Sequence, residues 1–267
     1  MLGAIIGDIA GSRFEFDNKK SKDFDLFRAD LGCSVTDDSI MTLAVAKAIL
    51  TAGEDRASLA QCAVSAMQSL GKRYPTAGYG RRFSRWLVQD DPAPYHSLGN
   101  GAAMRVSPCA YAARSEEEAL ELARTVTGVT HDHPEGLRGA EAVTAAIYAA
   151  RTGASKADIR SLIQTRYYDL SFTLDDIRAE YTFDVTCAGS VPQAIEAFLE
   201  AESFEDAIRN AVSIGGDSDT IAAIAGSIAE AFYGIPVMLR AQAILFLDSE
   251  LLRILTEFEE RFPSAVR

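Results

Sequence analysis

An all-α fold, a compact single-domain helical bundle, is what this chain predicts, and three observations carry the expectation. Apolar residues recur at helical spacing almost throughout, as at Ile40, Leu43, Ala44, Ala48 and Leu50. Strict alternation of polar and apolar residues, the mark of a half-buried strand, is hard to find over any useful length. Helix-start signals stand before the apolar runs: Ser115 with Glu118, Ser155 with Asp158 and Ser203 with Asp206 have the spacing of a capping box.

The elements follow in order. The opening Met1-Leu2-Gly3-Ala4-Ile5-Ile6-Gly7-Asp8 is apolar, has no basic leader and is interrupted by Asp8, so it reads as a buried segment and not as a signal peptide. Arg13 to Ser34, charged and carrying Phe14, Phe16, Phe24 and Phe27, reads as a long loop lying over the acidic residues that follow it. Thr36-Asp37-Asp38-Ser39 starts an alanine-rich helix. Asp90 to Gly99, with Pro92 and Pro94, is a second irregular stretch, and Gly99-Asn100-Gly101-Ala102-Ala103 is expected to open the helix that contains Met104 and Val106. Pro134, Pro192 and Pro236 are placed in first helical turns, where a missing N–H is tolerated. Gly216-Asp217-Ser218-Asp219-Thr220 starts a further apolar helix, with Gly215-Gly216 freeing the backbone just before it. The many Ala and Gly residues on these segments permit close axial approach.

Composition bounds the function. A chain of 267 residues, 48% hydrophobic and 24% charged, suits one sizeable core, and nothing in it marks a linker, so residues 1–267 are read as a single domain. A formal charge of −12 argues against a nucleic-acid-binding surface, which needs clustered Lys and Arg. Cys33, Cys62, Cys109 and Cys187 form no Cys-x-x-Cys pair and lie among apolar neighbours, which points to a reduced, cytoplasmic setting. No apolar run approaches the ~20 residues of a membrane span, so no membrane association is expected.

The two acidic helix starts are the chemical signal. A cap needs one oxygen, whereas Asp37 with Asp38 and Asp217 with Asp219 bring twice the charge a helix N-terminus calls for. Four carboxylates and the hydroxyls of Thr36 and Thr220 make an all-oxygen set that suits Mg²⁺ or Mn²⁺ and is poor for zinc or copper. Brought together without cations, they would repel strongly. Gly99-Asn100-Gly101 could let backbone N–H groups approach a diphosphate. His131-Asp132-His133 is a weak zinc signal, lacking a third histidine or paired cysteines. Tyr79, in Gly78-Tyr79-Gly80, reads as a packing aromatic.

In this order the motifs resemble the ADP-ribosylglycohydrolase family, the relatives of dinitrogenase reductase-activating glycohydrolase. The likeness runs from Gly3-Ala4-Ile5-Ile6-Gly7-Asp8-Ile9-Ala10-Gly11-Ser12-Arg13-Phe14-Glu15 through Thr36-Asp37-Asp38-Ser39, Gly78-Tyr79-Gly80, Gly99-Asn100-Gly101-Ala102-Ala103-Met104-Arg105-Val106 and Thr130-His131. It ends at Gly215-Gly216-Asp217-Ser218-Asp219-Thr220-Ile221-Ala222. The resemblance implies an all-helical enzyme binding two Mg²⁺ or Mn²⁺ ions at Thr36, Asp37, Asp38, Asp217, Asp219 and Thr220. It further implies a catalytic Glu15, and substrate contacts from Gly99, Asn100, Gly101 and His131. The implied substrate is an ADP-ribosylated protein or small molecule, cleaved at its N- or O-glycosidic bond to release ADP-ribose. Ala102 stands where the family often carries serine or glycine, which removes a hydroxyl contact and leaves the backbone contacts. Alternatives are hydrolysis of an ADP-ribose ester such as O-acetyl-ADP-ribose, a non-catalytic ADP-ribose-binding or structural relative, and a dimetal phosphoesterase, the last disfavoured for want of histidine ligands.

Overall fold

A computed structural model describes residues 1–263. Among these there is no strand; an isolated bridge joins Gly99 and Thr186. The helices are α1 (Leu2–Ser12), α2 (Asp37–Ala52), α3 (Leu59–Arg73), α4 (Arg81–Trp86), α5 (Ser107–Ala112), α6 (Glu116–Gly128) and α7 (Pro134–Arg151). They continue with α8 (Lys156–Arg166), α9 (Leu174–Arg178), α10 (Cys187–Glu200), α11 (Phe204–Ser213), α12 (Ser218–Tyr233), α13 (Val237–Ala243) and α14 (Ser249–Arg261).

The bundle is organised around α1 and α12. Every residue from Leu2 to Gly11 is buried, as is every residue from Ser218 to Glu230, the pattern of helices with no solvent face. Their extensive contact depends on small residues at four-residue spacing. A Cβ at Gly3 would lie 2.2 Å from the Gly226 carbonyl oxygen, at Gly7 2.0 Å from that of Ala222, and at Gly11 2.4 Å from that of Ser218. Only glycine lets the two backbones approach so closely. Around this pair, α11, α10 and α7 pack on α12, and α2 packs on α1, with α3 and α14 outside α2. The four cysteines are unpaired.

Most start signals behave as expected. Ser155 and Asp158 form a full capping box. Ser115 Oγ accepts the Glu118 N–H at 3.1 Å, but the Glu118 carboxylate accepts from the Arg114 N–H instead of returning to Ser115. Ser203 likewise caps α11 through the Asp206 N–H. Pro134 occupies the first turn of α7, and Pro236 is the N-cap of α13.

Two expectations are corrected. Pro192 lies inside α10, because Thr186 caps that helix by accepting the Gly189 N–H at 3.0 Å and so starts it five residues earlier. The Gly99–Ala103 segment opens no helix through Met104 and Val106. It forms a single 3₁₀ turn over Asn100–Ala102, and the α-helix that follows starts only at Ser107, with Pro108 in its first turn. Two glycines disfavour a longer helix there, and the Asn100 side chain is bonded elsewhere.

The aromatic loop is well anchored. Phe14 stacks edge-on with Phe24 at 5.0 Å, Asn18 Oδ1 accepts the Gly216 N–H at 3.2 Å, and Arg209 donates to the carbonyls of Lys22 and Phe24 at 2.8 and 2.7 Å. Lys20 Nζ donates to the Tyr181 and Ile214 carbonyls, both at 2.5 Å. These bonds fix Glu15 beside the start of α12.

Candidate metal and active site

Three helix ends converge on one cleft. Gly7 and Gly11 hold α1 against α12, which places Asp8 of α1 beside Asp219 of α12; α2 enters with Asp38. One carboxylate oxygen each from Asp8, Asp38 and Asp219 lie within 4.8 Å of one another, and so do those from Glu15, Asp217 and Asp219. Asp219 belongs to both triads. The positive φ of Gly215 (+73°) and Gly216 (+74°) turns the chain sharply enough to bring Asp217 into this cluster.

Asp8, which the sequence does not mark as a candidate ligand, joins the cluster. Its Oδ2 accepts the N–H groups of Thr36 at 2.9 Å and Ser39 at 3.1 Å as well as the Ser39 hydroxyl, and its Oδ1 accepts the Thr36 hydroxyl at 2.6 Å. It therefore caps α2 from another helix and fixes where Asp37 and Asp38 stand. A lone carboxylate in an otherwise apolar, buried helix was the available signal.

The other residues fall as follows. Thr36 is the N-cap of α2, accepting the Asp38 N–H at 3.4 Å while donating to Asp8. The Thr220 hydroxyl donates to Asp38 Oδ2 at 3.1 Å, and the Thr220 N–H to Asp219 Oδ1 at 3.0 Å. Asp37 belongs to neither triad but lines the cleft, its Oδ1 facing Gly78. Asn100 Nδ2 donates to Asp217 Oδ2 at 2.6 Å and to Ser190 at 3.0 Å, so its side chain orients a carboxylate. Asp217 makes no side-chain cap to α12, unlike the ordinary N-cap it resembles in sequence.

The electrostatics are those of an unneutralised anionic cluster. None of Asp8, Glu15, Asp37, Asp38, Asp217 and Asp219 has an ion-pair partner among the described residues. Burial, and then mutual repulsion, hold Asp38 and Asp219 well above the ordinary carboxylate range. Burial and the charges of Asp217 and Asp8 push Glu15 up to about 7. Asp38 Oδ1 is buried and has no hydrogen-bond partner among the described residues. A buried carboxylate with one oxygen unpartnered, in a residue grouped with Asp8 and Asp219, fits a cation ligand and suits no apolar neighbour.

The cleft, whose volume is about 420 Å³, is also lined by Tyr95, Ser97, the Gly99–Gly101 turn, Arg105 and His131. His131 is buried and held well below its ordinary value by that burial and by Arg105 and Arg82, so it is a neutral imidazole. His133 faces away, its Nδ1 accepting the Glu135 N–H that starts α7 and its ring against His96. The histidine pair of the sequence is thus divided between the cleft and the surface. A third irregular stretch, over 179–186, was not singled out in the sequence, yet it brings Phe183 and Val185 to the rim.

The family model for ADP-ribosylglycohydrolases matches residues 1–255. The chain belongs to the ADP-ribosylglycohydrolase family. It is 28% identical to the ADP-ribosylarginine hydrolase Tri1 of Pseudomonas putida (strain GB-1), over 89% of this chain and 70% of that one. It is 27% identical to the ADP-ribosyl-[dinitrogen reductase] glycohydrolase of Rhodospirillum rubrum, over 88% of this chain and 84% of that one. With the bovine ADP-ribosylhydrolase ARH3 it shares 27% identity over 52% of this chain, about half the length (51%) of that relative. A solved ADP-ribosylglycohydrolase-related protein complex matches the fold with a TM-score of 0.71, covering 97% of this chain and 95% of the other at 24% identity. The relatives are named as hydrolases, and the ADP-ribosylglycohydrolase assignment makes this chain an enzyme of that class. Among the described residues no helix is long and apolar enough to cross a membrane.

Proposed function

We propose that the protein hydrolyses the glycosidic bond between ADP-ribose and a modified acceptor, a protein side chain or a small molecule, using two Mg²⁺ or Mn²⁺ ions. The observation that carries this reading is the pair of carboxylate triads sharing the buried Asp219 in a cleft that is also lined by a glycine turn beside a neutral histidine. Two triads that share Asp219 would suit two divalent cations, which would offset the charge of the cluster.

Asp38, Asp217 and Asp219 supply the charged ligands, with Asp37, Thr36 and Thr220 around them and Asp8 holding the α2 side in place. Divalent cations bound there supply neutralisation of the cluster and polarisation of the ribose hydroxyls and of water. Asn100 holds Asp217 in orientation, and Thr220 does the same for Asp38. Glu15, half-buried on the cleft wall and fixed by the anchored loop, holds or moves a proton at the attacking water or the ribose 2″-hydroxyl. Gly99 to Gly101 and His131 receive the diphosphate and the adjoining sugar.

The test is a panel of differently linked ADP-ribose conjugates (arginine, serine, acetyl ester), incubated with the protein in Mg²⁺ or Mn²⁺ and monitored by mass spectrometry. Free ADP-ribose from a glycosidic conjugate is the expected product. Release from the ester alone would replace this reading by ester hydrolysis, and no release from any conjugate would leave a binding protein.

A further inference from the structure

The part of the cleft around the glycine turn and His131 contains a buried cation. Arg105 is 1% exposed and, among the described residues, has no carboxylate within ion-pair distance and no hydrogen-bond partner for its Nε. Burial lowers it to about 10, which still leaves it charged at neutral pH. Keeping an unpaired guanidinium out of water is costly, and its bonding shows what it is used for. Arg105 Nη2 donates to Thr130 Oγ1 at 2.6 Å, and Thr130 Oγ1 lies 2.7 Å from His131 Nδ1.

The direction of this chain follows from proton counting. A guanidinium only donates, so Thr130 accepts from Arg105 and has one proton of its own to give. His131 Nδ1 at 2.7 Å is the nearer acceptor; the Thr127 carbonyl is at 3.4 Å. Arg105 Nη2 also faces Nδ1, at 3.5 Å, so a proton on Nδ1 would meet a cationic donor. Nδ1 is therefore an acceptor and the imidazole proton sits on Nε2.

Nε2 is aimed at the glycine turn. A Cβ added at Gly101 would lie 3.2 Å from it, and one at Gly99 3.7 Å. Within that turn the Gly99 N–H already donates to Ser97 Oγ at 3.2 Å and the Asn100 N–H to the Val185 carbonyl at 2.8 Å. Of the three backbone N–H groups of the turn, that of Gly101 is the one left without a partner among the described residues, and His131 Nε2–H stands beside it.

We propose that Arg105 is a positioning residue: through the Thr130 hydroxyl it fixes His131 as an Nε2–H donor that, together with the Gly101 N–H, binds an anionic oxygen of the substrate diphosphate. The ligand half of this statement rests on the functional reading above; the tautomer half does not. Glycine-turn amides alone would offer a single bond, and the buried charge behind His131 strengthens the second.

Long-range ¹H–¹⁵N correlation on the ¹⁵N-histidine-labelled full chain reads the tautomer, with the His131 signals assigned by their loss in His131→Gln. The wild type should show an unprotonated Nδ1 and a protonated Nε2. Thr130→Val keeps the side-chain shape, removes the relay hydroxyl and avoids emptying the Arg105 site. It should leave a folded protein whose His131 signals move toward mixed tautomers and whose ADP-ribose Kd, by calorimetry, rises about 10-fold. Arg105→Lys, which keeps the charge, should fall between the two. An Nδ1–H tautomer in the wild type overturns the proposal, and so does Thr130→Val with both tautomer and affinity unchanged. A wild type with the expected tautomer but no ADP-ribose binding would establish the relay and overturn its assignment to the diphosphate.

Discussion

Asp219 is the carboxylate on which both triads depend, and its replacement by asparagine should move stability in opposite directions with and without metal. With the triad oxygens no more than 4.8 Å apart, each fully ionised pair costs at least about 3 kcal/mol at an effective dielectric of ~20. The metal-free cluster relieves part of this by holding protons, as the raised positions of Asp38 and Asp219 indicate. Neutralising Asp219 should therefore stabilise the metal-free protein by about 1–2 kcal/mol, a rise of about 2–8 °C in Tm for a chain of this size. A divalent ion at about 100 times its Kd should stabilise the wild type by about 2.7 kcal/mol, or roughly 5–10 °C, and Asp219→Asn should lose most of that increment. The pH dependence has a definite sign. Asp219 is raised above 3.8 in the folded state, so the unfolded chain releases its proton first, and metal-free stability falls as pH rises from about 4 through the folded value. Bound cations should flatten this fall. The assay is thermal melting in EDTA and in saturating Mg²⁺ or Mn²⁺ across pH. A variant that melts lower than the wild type in EDTA, yet gains as much from the ion, would show Asp219 to be a structural helix-start residue and refute the reasoning.

Glu15→Gln keeps size and hydrogen-bonding reach but cannot take up a proton, so turnover should drop by about 10²- to 10⁴-fold while ADP-ribose affinity is kept; single-turnover kinetics and calorimetry measure the two. Gly7→Ala places a carbon 2.0 Å from the Ala222 carbonyl oxygen and should cost about 3 kcal/mol in urea unfolding, whereas Gly128→Ala, whose added carbon meets nothing within 4 Å, should lie close to wild type. His131 is held below 6.5 in the folded protein, so the unfolded state takes up its proton first as pH falls and stability should decline below pH 6.5. His131→Gln should remove that part of the acid limb, and an unchanged limb would place the titration elsewhere.

The sequence made the helical class and the charged site legible for separate reasons. Helical spacing, together with caps such as Ser155 with Asp158, acts within a few residues and can be read locally. Excess charge at Asp37, Asp38, Asp217 and Asp219 is visible without a structure because a cap needs less. The roles of Asp8 and Asn100 were not visible, since both act on residues distant in the chain: Asp8 on α2 and Asn100 on Asp217. The start of α10 was misplaced because Pro192 is a stronger local signal than Thr186. In the Gly99–Ala103 turn, glycine followed by alanines suits a helix start or a single 3₁₀ turn, and the side-chain bond from Asn100 to Asp217 helps to decide between them.

Cations in the carboxylate cluster should be required for release of ADP-ribose. Protein stripped with EDTA should be titrated with Mn²⁺ and supplied with an ADP-ribosylated peptide, with free ADP-ribose followed by mass spectrometry. No release without ion, and a rate that reaches its plateau at two ions per chain, is the predicted result. Release at the full rate in EDTA, or a plateau that Asp219→Asn reaches at the same ion concentration, would contradict it.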